Sequence, residues 1–355
     1  MTASPLALSV LDLVPVRARQ TSAQAIAASL DLVRHAERLG IHRYWYAEHH
    51  NMPAVASTAP PVLIAAAASV TRMMRVGSGG VMLPNHSPLI VAEQFAALEA
   101  LAPGRIDLGI GRAPGSDPVI SQLLRQSGTT SEVDRFPDNV RDIIALTSPE
   151  GASVRVRSLD PEGSVYEIHA TPASDASPDV WLLGSSDYSA QLAATLGLPY
   201  VFANHFAGRG LGRALDLYRE QYRPSAAHPQ PRTFLTANAL AAPTAEEAEE
   251  RALPQLRAMV RLRTNQPLRP QETVEDAVAA ERGAQPLAGA LMDEMRARWF
   301  VGTGADVAAG LRELAARFDL DEVMISPIGG AYAGEPLDAS PDRVRTLELL
   351  TAALA

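Results

Sequence analysis

Short apolar runs alternate with longer amphipathic segments along most of the chain. The longer segments place apolar residues three to four positions apart and so predict helices; in "SAQAIAASLDLVRHAERLG", Ile26, Leu30 and Val33 keep this spacing and Gly40 ends the helix. The short runs are rich in β-branched and aromatic residues and predict strands. Eight such runs are found, at 6–14, 42–47, 75–83, 105–110, 179–184, 199–203, 233–240 and 321–326.

Eight strand-then-helix units in one chain predict an α/β fold, a (β/α)8 TIM barrel, ahead of an open doubly wound sheet. Two stretches interrupt the repeat: 153–169, which predicts a short hairpin, and the polar, helix-prone segment 262–298. Insertions that follow barrel strands lie at the C-terminal mouth, where active sites are built. We therefore expect a single domain over 1–355, with the insertion at 262–298 as a lid over the active site.

Composition and charge narrow the class of ligand. With 355 residues, 47% of them hydrophobic, the chain can bury a large core. A net charge of -9 without a dense basic run argues against nucleic acid and anionic membrane as partners. No apolar run approaches the roughly 20 residues of a membrane span, and the N-terminus lacks the pattern of a signal peptide. These features predict a cytoplasmic enzyme that acts on a small molecule.

The sequence contains neither cysteine nor lysine. Their absence excludes cysteine nucleophiles, thiolate metal sites, the phosphate-loop lysine and Schiff-base chemistry. Two kinds of mechanism remain possible: acid-base catalysis by histidine or carboxylate groups, and chemistry on a cofactor that is held without a covalent bond.

Glu48, His49 and His50 follow the second predicted strand directly, at the expected mouth of the barrel. They suit an incidental polar loop, a metal site or a cofactor pocket. Adjacent histidines project in different directions and no H-E-x-x-H motif follows, so no metal is expected.

Three further features suit a planar ligand that carries a phosphate. The third strand contains "VGSGGVMLPNHSP", where glycines allow a flat group or another backbone to approach, or mark a β-bulge. Arg112 follows the fourth strand, and the nearby G-x-G-x-x-x-G spacing is one residue too long for a dinucleotide fingerprint. After the fifth strand, Ser185 or Ser186 begins a helix whose free N–H groups can hold a phosphate, and Ser189 adds a hydroxyl; an ordinary helix cap is the alternative.

These residues resemble the bacterial-luciferase-like flavin monooxygenases. The resemblance covers nearly the whole chain through "YAEHH", "RVGSGGVMLPNHSPLIVAEQFAALEALAPGRIDLGIGRAPGSD", "GSSDYSAQLAATLGLPYVFANHF" and "FVGTGADVAAGLREL". It implies a TIM barrel that binds FMN, receives reduced FMN from a separate flavin reductase, and uses O2 to oxidise a small organic substrate through a flavin peroxide. It also implies a homodimer that pairs through the region of the apolar segment 58–70. The departure "GRAPG" after the fourth strand indicates the broader monooxygenase branch rather than luciferase itself.

The resemblance also assigns roles to individual residues, which are all expectations here. Arg112, Ser186 and Ser189 match phosphate ligands, and Ser185 stands where luciferases carry a glutamate. Gly79 and Gly80 match a non-prolyl cis peptide behind the flavin ring. His49 matches a histidine of the flavin pocket, where an imidazole tuned near neutrality would suit proton transfer. His49 and Glu48 are the expected catalytic residues, and Glu48 and His50 would orient the imidazole or bond the backbone.

Two other functions stay open. Related barrels use the deazaflavin F420 for hydride transfer without oxygen, and a barrel could also bind flavin without catalysis. The acidic tail of F420 calls for more cationic side chains at the mouth, whereas His49 and the insertion favour a catalytic protein.

Overall fold

The structure is a computed structural model and describes residues 6–115, 118–126, 132–156, 164–205, 210–281 and 286–355. Its strands, in chain order, are β1 (Ala7–Asp12), β2 (Arg43–Tyr46), β3 (Arg75–Met82), β4 (Ile106–Gly111), β5 (Ala152–Val156), β6 (Ser164–Ile168), β7 (Asp179–Gly184), β8 (Tyr200–Phe202), β9 (Thr233–Ala242), β10 (Phe300–Thr303) and β11 (Glu322–Pro327).

The helices, in chain order, are α1 (Ser22–Arg38), α2 (Pro60–Ser69), α3 (Pro88–Leu101), α4 (Pro118–Gln126), α5 (Phe136–Thr147), α6 (Asp187–Leu196), α7 (Leu211–Gln221), α8 (Ala245–Arg263), α9 (Val274–Glu281), α10 (Pro286–Arg296), α11 (Gly304–Phe318) and α12 (Pro341–Leu354). Two short 3-10 turns lie at Leu83–Asn85 and Val133–Arg135. No helix in the described ranges combines the length and apolarity that crossing a membrane requires.

Eight parallel strands close into a barrel in the order β1-β2-β3-β4-β7-β8-β9-β11, and β11 pairs with β1 again. The (β/α)8 prediction is therefore confirmed. The eight predicted strands are these eight, and their ends differ from the observed ones by at most two residues. The reason is local: each is a buried run of β-forming residues bounded by turn residues, and crossover helices cover the outside of the sheet.

The two segments that interrupt the repeat also form the predicted kinds of structure, a hairpin and helices. β5 and β6 pair antiparallel as a hairpin, and its 157–163 connection lies outside the described residues. The described parts of 262–298 include α9 and α10, and 282–285 lie outside them. The sequence did not predict β10, which pairs in parallel with the last four residues of β9, beyond the barrel. A four-residue, mostly half-buried run carries too little periodicity to be recognised in isolation.

Local signals explain where the helices begin and end. The Thr21 side chain accepts the backbone N–H of Gln24, and the Gln24 side chain accepts the N–H of Thr21, which is a capping box at the start of α1. Gly197 ends α6 with a φ of 64°, a conformation that glycine adopts without steric cost.

The N-terminal end of the barrel is closed by buried charges. The Arg43 guanidinium donates to Asp107 Oδ2 at 2.8 Å and to Glu322 Oε1 at 2.7 Å, and Arg75 donates to Asp107 Oδ1 at 2.6 Å. Burial alone would raise the pKa of Asp107, but Arg43 and Arg75 hold it below its ordinary value. The next layer of the interior is apolar and contains Leu11, Trp45, Trp181, Val201, Phe234 and Met324. The filled interior leaves the C-terminal end for ligand binding.

Candidate active site

Glu48 is the centre of a hydrogen-bonded cluster just after β2. Its Oε1 accepts from His50 Nε2 at 2.7 Å and from His86 Nε2 at 2.8 Å, and its Oε2 accepts the N–H of Met82 at 3.0 Å. Burial would raise the pKa of Glu48, but the hydrogen bonds from the two imidazoles and Met82 lower it to about 2. The ionised carboxylate thus ties the loop after β2 to the loop after β3.

The same cluster could in principle hold a metal ion. Among the described residues, the ligand atoms of Glu48, His50 and His86 lie close enough together for this. The two imidazole-to-carboxylate distances are those of ordinary hydrogen bonds. Hydrogen bonding alone accounts for the arrangement, and the prediction that no metal binds stays a prediction.

His49 lies in the loop after β2, between Glu48 and His50 in the chain, and its side chain is 9% exposed. Its backbone N–H donates to the Ser57 carbonyl at 3.0 Å. Burial lowers the pKa of the His49 imidazole to about 4, against an opposing effect of the Glu48 charge. The expectation of an imidazole tuned near neutrality is therefore wrong for the ligand-free protein: His49 is neutral at pH 7, because desolvation outweighs the neighbouring carboxylate.

His205, which follows β8, is a second buried imidazole that the sequence analysis missed. Its Nδ1 hydrogen-bonds the hydroxyl of Thr236, and its carbonyl accepts from Asn238 Nδ2 at 3.1 Å. Burial, with a smaller effect of His49, lowers the pKa of His205 to about 3. The rule that selected His49, inspection of residues directly after a barrel strand, would also have found His205 after the sixth predicted strand.

Gly79 and Gly80 are joined by a cis peptide bond at the end of β3. The register of the pairing with β4 shifts between Gly79 and Val81, an irregularity of the kind that a β-bulge produces. A Cβ on Gly79 would lie 2.6 Å from Leu11 Cδ1, and one on Gly80 would lie 2.7 Å from the Gly109 carbonyl oxygen. Close approach by the protein itself therefore already requires both glycines; Gly79 is half-buried and Gly80 is buried.

Arg112 is exposed just past β4, and its guanidinium carbon lies 4.3 Å from the centre of the Tyr188 ring. Tyr188 is in the first turn of α6, so this contact holds a cation beside the start of that helix. The Ser186 N-cap makes no side-chain hydrogen bond to the first turn. The fold thus brings Arg112 close to the start of α6, although the arginine and the three serines there are 73 to 77 positions apart in the chain.

The three serines differ in their environments. Ser185 and Ser186 are exposed at the start of α6. Ser189 is buried, and its hydroxyl donates to the Ser186 carbonyl at 2.8 Å and lies 3.3 Å from the Tyr200 hydroxyl. Ser189 therefore stabilises the first turn of the helix and can offer a ligand only its remaining acceptor capacity.

A mainly apolar cavity of about 150 Å³ opens beside His49 on the other side of the mouth. It lies at the ends of β1 and β11, whereas Arg112 and α6 follow β4 and β7, halfway around the barrel. Its walls come from the loop after β2, the C-terminal half of α8 and the segment after α8. Its lining residues include His49, Met52, Gln255, Ala258, Met259, Arg269, Gln271 and Arg343.

The residues present fit a planar ligand with a phosphate. A fixed cation and an open helix N-terminus suit the phosphate, and the half-buried glycine surface of β3 suits a flat ring. His49 lines the apolar cavity.

Comparison with known proteins gives consistent matches over most of the chain. The sequence model of the family described as luciferase-like monooxygenase matches residues 6–319. A protein of Escherichia coli (strain K12) named luciferase-like monooxygenase is 40% identical over 331 residues, which are 92% of each chain.

Among solved structures, apo-MsnO8 superposes with a TM-score of 0.83 at 32% identity, over 99% of this chain and 98% of that one. The oxygenating constituent of 3,6-diketocamphane monooxygenase from Pseudomonas putida, in complex with FMN, has a TM-score of 0.69 at 18% identity, over 99% and 98%. An F420-dependent secondary alcohol dehydrogenase has a TM-score of 0.63 at 13% identity, over 98% and 99%. At such identities the last two likenesses show the fold alone.

Proposed function

The chain belongs to the luciferase-like monooxygenase family, and from that premise we propose that it is the FMN-dependent oxygenating component of a two-component monooxygenase. Its substrates would be reduced FMN, O2 and a small organic molecule, and a separate flavin reductase would supply the reduced FMN.

The observation that carries the choice of FMN is the contact of Arg112 with Tyr188 at the start of α6. It combines a cation that cannot lose its charge with the free N–H groups of a helix N-terminus, and both favour a phosphate dianion. Ser185 and Ser186 are exposed at the same point and can donate to phosphate oxygens. Gly79 and Gly80 would lie behind the ring.

When bound, reduced FMN supplies the electrons that activate O2. The chain's own contribution is acid-base chemistry at a site with little water: the neutral His49 imidazole can donate one proton and accept another without leaving its buried position. His205 is a second neutral imidazole, close enough for its pKa to respond to His49.

Glu48 is a positioning residue in this proposal. Its carboxylate joins His50, His86 and the backbone of Met82, so it fixes the two loops that flank His49 and the glycine surface. The segment 262–298 would act as a lid, and this proposal is supported by the part of α8 and the following loop that wall the apolar cavity.

The replacement Arg112→Ala tests the assignment through binding alone. It should weaken FMN binding by roughly ten- to a hundredfold, the range for one charge-assisted contact to a phosphate, and should leave riboflavin binding nearly unchanged because riboflavin has no phosphate. Fluorescence titration of both ligands measures this. Arg141→Ala, at an exposed arginine paired with Asp138, is the control. Equal losses for the two ligands would remove Arg112 from the phosphate site, and tighter binding of F420 than of FMN would overturn the cofactor.

A further inference from the structure

The apolar cavity beside His49 has a composition that indicates a substrate class. Its volume of about 150 Å³ is below the roughly 300–1,000 Å³ of pockets for drug-sized ligands, so its occupant is small. The apolar walls include Met52, Ala258 and Met259, whose side chains can bury a hydrocarbon body.

Most polar groups on the cavity wall are already bound to other protein groups. Arg343 donates to Asp12 Oδ1 at 2.6 Å and to the Pro327 carbonyl at 3.2 Å, and Gln271 Nε2 donates to Gln255 Oε1 at 3.1 Å. Such groups shape the wall but have less capacity for a ligand.

Arg269 differs from them. Its side chain is exposed at the rim, and the structure gives its guanidinium no hydrogen bond or ion pair with any described residue. Leu262 and Leu268 line the same cavity, so the surroundings of Arg269 include apolar side chains against which the hydrocarbon part of a ligand can pack. A planar guanidinium binds a carboxylate with two parallel hydrogen bonds.

We infer that this cavity binds the substrate, and that the substrate class is a small apolar organic acid whose carboxylate is held by Arg269 while its hydrocarbon body extends toward His49. This inference rests on the proposed function for the reaction, but the binding it describes does not require flavin. The position is consistent with catalysis because His49, which follows β2, borders the cavity, and the glycines assigned to the ring lie within the neighbouring strand β3.

The test compares three probes with equal chains and different charges: hexanoate, hexanol and hexylammonium. Binding to the flavin-free protein is followed by saturation-transfer NMR and calorimetry. Hexanoate should bind more tightly than the other two, and Arg269→Gln should weaken it by roughly tenfold, until it matches hexanol. Ala258→Trp should fill the cavity and abolish hexanoate binding, whereas Arg141→Gln should change nothing.

Equal affinity for the three probes, hexanoate binding that survives Arg269→Gln, or no binding of hexanoate to a folded wild-type protein would each overturn the inference. Because no flavin is present, these outcomes are independent of the FMN assignment. Equal losses of FMN and riboflavin affinity in Arg112→Ala, or tighter binding of F420 than of FMN, would count against the proposed function and would leave the cavity result standing.

Discussion

At the scale of single residues, His49 shows how burial changes the chemistry that a sequence motif offers. The side chain is 9% exposed and its pKa is about 4, so the imidazole is neutral throughout the usual working range. His50, next to it in the chain, instead donates to Glu48 and is partly exposed. The two adjacent histidines therefore have separate roles: His49 lines the cavity, and His50 belongs to the hydrogen-bonded cluster around Glu48.

We expect His49→Ala to retain FMN affinity within a few fold and to lower coupled turnover by roughly 10²–10⁴, the range for loss of a positioned acid-base group. Coupled turnover is the oxygen consumption not recovered as hydrogen peroxide. The wild-type pH profile should show no inflection from His49 near pH 6.5, because its pKa in the folded protein lies near 4.

His50→Ala is the matched control, since it removes the neighbouring imidazole and the hydrogen bond to Glu48 but leaves His49 in place. It should act through stability or positioning. Unchanged coupling and unchanged turnover in His49→Ala would remove this residue from the mechanism.

At the scale of elements, the strands are held in register by the charged layer at the closed end of the barrel. Arg43 on β2, Arg75 on β3, Asp107 on β4 and Glu322 on β11 join four strands, and Trp45 also donates to Asp107 at 2.8 Å. A layer of this kind is stable only when every partner is present, because a buried charge without its counterion is strongly disfavoured.

Asp107→Asn keeps the size of the side chain but removes the negative charge between two arginines. It should lower the free energy of unfolding by about 3–5 kcal/mol, the cost of breaking a buried pair. Urea unfolding followed by circular dichroism measures this. Asp138→Asn, in an exposed pair, should cost less than about 1 kcal/mol; similar losses for the two variants would show that the charged layer contributes little to stability.

At the scale of the whole molecule, the outer surface suggests how two chains associate. α2 is apolar nearly all round: its buried residues include Leu63 and Ile64, while Val62 on the same helix is 68% exposed. Other large apolar side chains are exposed on the turn after α2 and on the neighbouring α3, namely Met73, Leu89, Ile90 and Leu101. The prediction of a homodimer through this region remains a proposal, and these residues support it.

Sedimentation should give a particle of twice 37.8 kDa at micromolar concentration. Val62→Glu should shift it toward the monomer, since the new charge would be buried in the interface. Leu123→Glu, at an exposed apolar residue of α4, should leave the dimer intact. A monomeric wild-type protein would contradict the prediction.

The sequence alone determined the barrel and the position of its mouth. Strand and helix periodicity is a local property, and eight alternating units leave few ways to bury both faces of a parallel sheet. It also selected Glu48, His49, Arg112 and the serines at the start of α6, because residues after barrel strands lie at the mouth in any such fold. Gly79 and Gly80 were selected because glycines inside a strand are unusual.

Only the tertiary structure decided which of these groups meet and in what state. Three interactions join distant parts of the chain: the contact of Arg112 with Tyr188, the hydrogen bond of Glu48 with His86, and the closeness of His205 to His49. The low pKa of His49 follows from the burial of its side chain in the folded protein. Strand β10 forms only because β9 extends past the barrel and offers an edge for pairing. Contacts between distant residues and the desolvation they cause leave no periodic trace in the sequence, so the structure alone could show them.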